Sequence, residues 1–164
     1  MLASYLSIRT FTLLDKPVLT SKRFVSLDNL FCCYEVNRGR GRWAFYPSKD
    51  AACVCRFMRR VRRWYPGVAV WVVLDRDSPH PCKARQTRRV MRRLRLRWIT
   101  LPRGSPDDNP VEAVFSDVQQ MVLDNSDDPD ARVTRRRIGA HLGNRNRRRR
   151  RRIRIPYLAD SHKH

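Results

Sequence analysis

A mixed α/β domain is what this sequence predicts, on three observations. Short runs of β-branched and aromatic residues alternate with stretches whose apolar residues recur every three or four positions. One run, VAVWVVL at 68–74, is continuously apolar, as expected of a strand covered on both faces. A strand, helix, strand succession then follows at the spacing of a βαβ unit, which implies two parallel neighbouring strands.

In chain order, residues 24–36 (FVSLDNLFCCYEV) read as a strand, and Asn37 to Gly41 as a turn carrying two glycines. Residues 42–46 (RWAFY) return as the second strand of a hairpin. Ser48 is a candidate cap for the next helix, in which Val54, Phe57, Met58, Val61 and Trp64 share one face. Arg56, Arg59, Arg60, Arg62 and Arg63 occupy the opposite face, and Pro66-Gly67 ends the helix. After the strand at 68–74, a second helix is expected from about Lys83 to Leu94, then a strand at 96–101 (LRWITL). A third helix presents Val111, Val114, Phe115, Val118, Met121 and Val122. From Asn125 the character changes to an acidic, turn-forming linker, then Arg135–Arg137 and the run Arg147, Arg148, Arg149, Arg150, Arg151 and Arg152. Two regions are therefore expected: a domain over 1–124, and a linker and Arg-rich tail over 125–164, disordered or partly helical.

The charge balance narrows the partners. The 164 residues hold 36 Lys and Arg against 15 Asp and Glu, a formal charge of +21. Most of the excess is arginine, whose planar guanidinium matches phosphate in bidentate fashion, so a nucleic acid is the expected partner. Five cysteines form no pair of CxxC units and no even framework, so a zinc site or disulfide scaffold is not expected. Reduced, mostly buried thiols in a cytoplasmic protein are expected instead. No apolar run approaches the roughly 20 residues of a membrane-spanning helix. No internal repeat is present.

Two carboxylates stand out by placement. Asp75 ends the most apolar strand at its carboxyl edge, where parallel α/β sheets gather ligands. Glu112 falls in the first turn of the third helix, after the next parallel strand and its loop. Two carboxylates meeting there repel unless a cation lies between them, and hard oxygen donors in small number suit magnesium or manganese. Taken alone, each has an ordinary role. An Asp after a strand is commonly a turn residue. Asn109-Pro110-Val111-Glu112 is a good helix start, with Asn109 as N-cap, Pro110 first and Glu112 closing a capping box.

The words around them say more. LDRDSPH (74–80) and LPRGSPDDNPVEAVF (101–115) resemble the two late signature blocks of mariner-type insertion-sequence transposases, which belong to the DDE superfamily endonucleases. Leu74, Asp75 and His80 match the first block. Leu101, Pro102, Ser105, Pro106, Asp107, Asn109, Pro110 and Glu112 match the second. Arg76 and Asp77 stand where Asn and Ala are usual, Arg103-Gly104 where Pro-Tyr is usual, Asp108 for Leu and Phe115 for Trp. In outline the resemblance covers residues 24–124.

The resemblance implies a ribonuclease H-like fold, a mixed sheet with flanking helices, here expected to be incomplete. It also implies three acids holding two divalent ions, Mg2+ or Mn2+, for cutting DNA and transferring strands. By motif, Asp75 is the second acid and Glu112 the third, both as metal ligands, with His80 and Asn109 near the site. The family carries its first acid in an opening strand, usually as an Asp-Glu pair, and this sequence has no such pair there. Asp15 is the upstream candidate and Asp28 a poorer one. The helix-turn-helix modules that precede such domains are also missing. A chain truncated at its N-terminus is therefore expected, weak or inactive alone, with a separately encoded N-terminal half or a second copy as partner. Arg147 to Arg152 are expected to hold DNA phosphates without reading bases, in a nucleoid-associated protein. The competing readings are a non-catalytic basic nucleic-acid-binding protein and a decayed remnant with a gap where its first strand belongs.

Overall fold

Alternation along one buried strand organises the molecule. In β2 (Asn29–Glu35) all seven residues are buried. Phe31 and Cys33 join one apolar cluster, while Leu30, Cys32 and Tyr34 join another. Successive side chains of a strand point to opposite faces, so β2 must be covered twice. The computed structural model describes residues 3–12 (backbone only), 29–74, 84–101, 109–124, 128 and 130–148. The other elements are β1 (Ala3–Thr12), β3 (Arg40–Tyr46), α1 (Ala51–Trp64), β4 (Ala69–Leu74), α2 (Arg85–Arg93), β5 (Leu96–Thr100), α3 (Glu112–Val118) and α4 (Ala131–Arg148). A π-helical turn, Gln119–Leu123, continues α3.

The five strands lie in the order β3-β2-β1-β4-β5. β1 runs antiparallel to β2 and parallel to β4, with Ser7 opposite both Tyr34 and Val73. β4 and β5 are parallel, as the βαβ spacing predicts. β2 and β3 form the predicted hairpin, closed by Gly39 at φ 65, whose N–H donates to the Glu35 carbonyl at 2.8 Å. Positive φ there suits a residue without a Cβ. The expected gap is not found: β1 fills the space between β2 and β4. Sequence reading missed this strand because Arg9 and four serines and threonines break its apolar pattern.

One face of the sheet packs against α1 and α2. Phe57, fully buried on α1, meets Phe31 at 5.5 Å, Tyr46 at 6.4 Å and Trp64 at 6.0 Å between ring centroids, all tilted or edge-on. Such pairs contribute beyond the area they bury. Asp50, not Ser48, caps α1: its Oδ1 accepts the Cys53 N–H at 2.8 Å, while the Ser48 hydroxyl donates to its Oδ2 at 2.6 Å. These bonds favour the ionised form, so the Asp50 carboxyl lies below its ordinary pKa.

The other face packs against α3, its π-helical extension and α4. Val111, Val114, Phe115, Val118 and Val122 meet Leu30, Cys32 and Tyr34, joined by Ile138 and Leu142 of α4. Within the segment 125–164 expected to be linker and tail, residues 131–148 form one helix that contributes to the core. A few scattered apolar positions among many arginines hid that face from sequence reading. No helix among the described residues is long and apolar enough to cross a membrane.

Cys32, Cys33, Cys53 and Cys55 are free and buried. Burial pushes the Cys32 thiol up to about 12, against a smaller opposing pull from the Arg145 guanidinium. Burial first, and then the neighbouring Cys32, raises Cys33 as well. Only the thiolate attacks alkylating reagents. Iodoacetamide at about pH 8.5, near the ordinary thiol pKa, should therefore leave Cys32 and Cys33 unmodified in the folded chain and label both in urea. Mass spectrometry of the peptides spanning them checks this. Rapid labelling without denaturant would contradict a closed core.

Candidate active site

The first residues of the two motif blocks, Leu74 and Leu101, lie side by side. Leu74, the last residue of β4, offers its carbonyl oxygen to the Leu101 N–H at 2.9 Å. Leu74 immediately precedes Asp75, and Leu101 opens the block that ends in Glu112. This follows from the parallel register, Val73 opposite Ile99 and Leu74 opposite Thr100, which brings both strands to one carboxyl edge. Asp75 and His80 lie outside the described residues, as do Asp15 and Asp28.

Glu112 is the first residue of α3 and is half-buried. Its N–H donates to the Asn109 carbonyl at 2.9 Å, and Val111 accepts from Val114 at 3.0 Å and Phe115 at 3.2 Å. The regular helix thus starts two residues later than Pro110, after a tight turn; the last residue before it, Val111, has no side chain able to cap. Asn109 is 2% exposed, so this polar side chain sits inside the protein rather than at the surface. Burying Val111 and Val114 on either side of Glu112 fixes the start of α3 against β2 and with it the level of the carboxylate.

Among the described residues no group of three His, Cys, Asp or Glu side chains gathers into a metal site. β1, the central strand, reads ASYLSIRTFT and brings no carboxylate. The tail arginines divide: Arg147 and Arg148 are exposed in the last turn of α4, where Arg147 donates to Asn144 Oδ1. Arg149 to Arg152 lie outside the described residues. Sequence reading did not single out the basic residues of β3, Arg40 and Arg42, which line a cleft with Trp43 and Trp64. Their signal, arginines interleaved with tryptophans, was there; which face they share depends on β3 being an edge strand.

The family profile described as DDE superfamily endonuclease matches residues 17–152. No curated protein matches the chain in sequence. Among solved structures, the chain resembles one from the cryo-EM structure of a simian T-cell lymphotropic virus intasome in complex with PP2A regulatory subunit B56 gamma. The TM-score is 0.60 at 10% identity, covering 84% of this chain and 46% of that one. The chain thus spans about half the length of that relative, and the likeness speaks for the fold. Strand order, the mixed sheet helix-covered on both faces and this neighbour agree with the ribonuclease H-like class. With the family profile extending from before the hairpin through α4, the chain belongs to the DDE superfamily endonucleases.

Proposed function

We propose that this protein is a DNA-handling domain derived from a mariner-type insertion-sequence transposase, carrying two of three metal carboxylates and weak or inactive in cleavage by itself. The observation that supports the reading is the hydrogen bond between Leu74 and Leu101, the first residues of the two motif blocks. Asp75 and Glu112 are the metal ligands in this reading, with His80 and Asn109 next to them. Two carboxylates completed by water suit one Mg2+ or Mn2+. They do not suit two ions, because the strand on which the family carries its first acid has none. When bound, the ion would supply charge stabilisation at a phosphodiester oxygen. The chain's own part in this reading is to bring the two carboxylates to the ion, Glu112 from the start of α3 and Asp75 from the residue after β4, while Arg147 to Arg152 hold DNA backbone. A separately encoded segment or a second copy would complete the acid set.

Nicking of supercoiled plasmid with magnesium or manganese tests the proposal, using the wild-type chain, Asp75→Asn and Glu112→Gln. The expected result is DNA binding with nicking at background in all three, and weak Mn2+ binding that each variant lowers. Metal-dependent nicking by the wild type, lost in both variants, would overturn the missing-acid reading and turn attention to Asp15. The competing reading, a non-catalytic basic nucleic-acid binder, is supported by the +21 charge. It requires Mn2+ binding to be unchanged in both variants.

A further inference from the structure

We propose that a cleft on the open edge of the sheet is a binding site for nucleic-acid backbone, separate from the candidate active site. The cleft, about 780 Å³, is lined by Arg40, Gly41, Arg42 and Trp43 of β3, Arg60 and Trp64 of α1, and Asn146 and Arg147 of α4. It straddles the edge strand, with α1 on one face of the sheet and α4 on the other. Its four arginines are exposed, and among the described residues no acidic side chain lines it.

Three features identify the partner. First, two of the four arginines are held in place. Arg60 lies over the Trp64 ring at 5.4 Å, and Arg42 lies over Trp64 at 5.7 Å and Tyr65 at 5.5 Å. Guanidinium groups stacked on aromatic faces keep their N–H edges free for phosphate and lose less freedom on binding it. Second, strand addition by another protein is blocked at Gly41. The Asn146 amide donates to the Gly41 carbonyl and accepts its N–H, both at 2.8 Å, taking the place of a neighbouring strand. Third, the level is right. Gly41 pairs with Tyr34, Tyr34 with Ser7 and Ser7 with Val73, so the cleft is level with the carboxyl edge of β4. Three strand spacings, about 14 Å, separate β3 from β4. A DNA crossing that edge can therefore seat one flank here, where sequence-neutral contacts fix position.

The proposal rests on DNA being the substrate, but not on cleavage. Its test is binding of the full chain to a short fluorescent duplex in EDTA across a salt series. Arg40→Gln/Arg60→Gln is compared with Arg88→Gln/Arg89→Gln, which removes equal charge from exposed positions on α2. The cleft variant should lose about tenfold in affinity at moderate salt. Its slope of log affinity against log salt should shrink by about 1.8, or 0.9 for each lost phosphate contact. The α2 variant should change little. Equal losses in both variants would overturn the proposal in favour of diffuse surface charge, as would no loss in the cleft variant. Displacement of the duplex by poly-glutamate as readily as by unlabelled duplex would overturn the nucleic-acid assignment. No binding by the wild type would overturn the DNA-handling reading itself. Should the cleft variant unfold on heating below the wild type, Arg40→Gln alone carries the test with half the change in slope.

Discussion

Ile138→Ala and Leu142→Ala should each destabilise the protein by about 2–5 kcal/mol, the range for truncating a fully buried aliphatic side chain. Both residues are on α4, one turn apart, 0% and 1% exposed, and both pack against the face of β2 that carries Leu30, Cys32 and Tyr34. Each substitution removes transfer free energy and leaves a cavity between α3, α4 and the sheet, where neighbours relax only in part. Because the two sites touch the same cluster, their effects should not add. Urea unfolding checks this: the midpoint should fall at an unchanged slope. A change below about 0.5 kcal/mol, typical of surface sites, would mean that α4 belongs to a tail and not to the core.

Asp117→Ala should be costly for an electrostatic reason. Arg145 is 7% exposed, and its Nε donates to Asp117 Oδ2 at 2.6 Å while its guanidinium lies 5.5 Å from the Tyr34 ring centre. Nη1 and Nη2 have no hydrogen-bond partner among the described residues. Removing Asp117 leaves a buried cation with the ring face as its remaining support. Breaking a buried pair from one side costs several kcal/mol. On the order of 3 kcal/mol is expected here, the lower end, since the Asp117 side chain is 39% exposed. Replacing both partners, Asp117→Ala with Arg145→Met, should recover most of the loss, because the apolar chain fills the volume without a charge to desolvate. Thermal unfolding of the single and double variants decides it. A double variant no more stable than Asp117→Ala would show that the guanidinium is held by something other than this pair.

The half of the fold that carries the two motif blocks was legible because its signals are local. Apolar spacing marked α1 from Val54 to Trp64, and the unbroken run at 68–74 marked β4. The paired motif blocks bracketed the carboxylates. Element ends were less so: α3 starts at Glu112 rather than Pro110, since packing of Val111 into the core governs how the chain enters the helix. The cap of α1 went to Asp50, not Ser48, because the carboxylate oxygen, held by the Ser48 hydroxyl, reaches the Cys53 N–H.

By itself the sequence determined the alternation of strands and helices, the large excess of positive charge and the spacing of the two motif blocks, all carried by residue type and spacing along the chain. Tertiary structure decided what depends on partners distant in sequence. β1, with its hydroxyls and Arg9, is a strand because β2 and β4 offer hydrogen bonds on both sides. α4 is core and not tail because Ile138 and Leu142 find an apolar face on β2. Asn146 and Gly41 meet across 105 residues, and that meeting closes the sheet edge to another strand while leaving four arginines in one cleft. Loop closure grows only slowly in cost with separation, so such contacts leave no periodic trace in the chain that makes them.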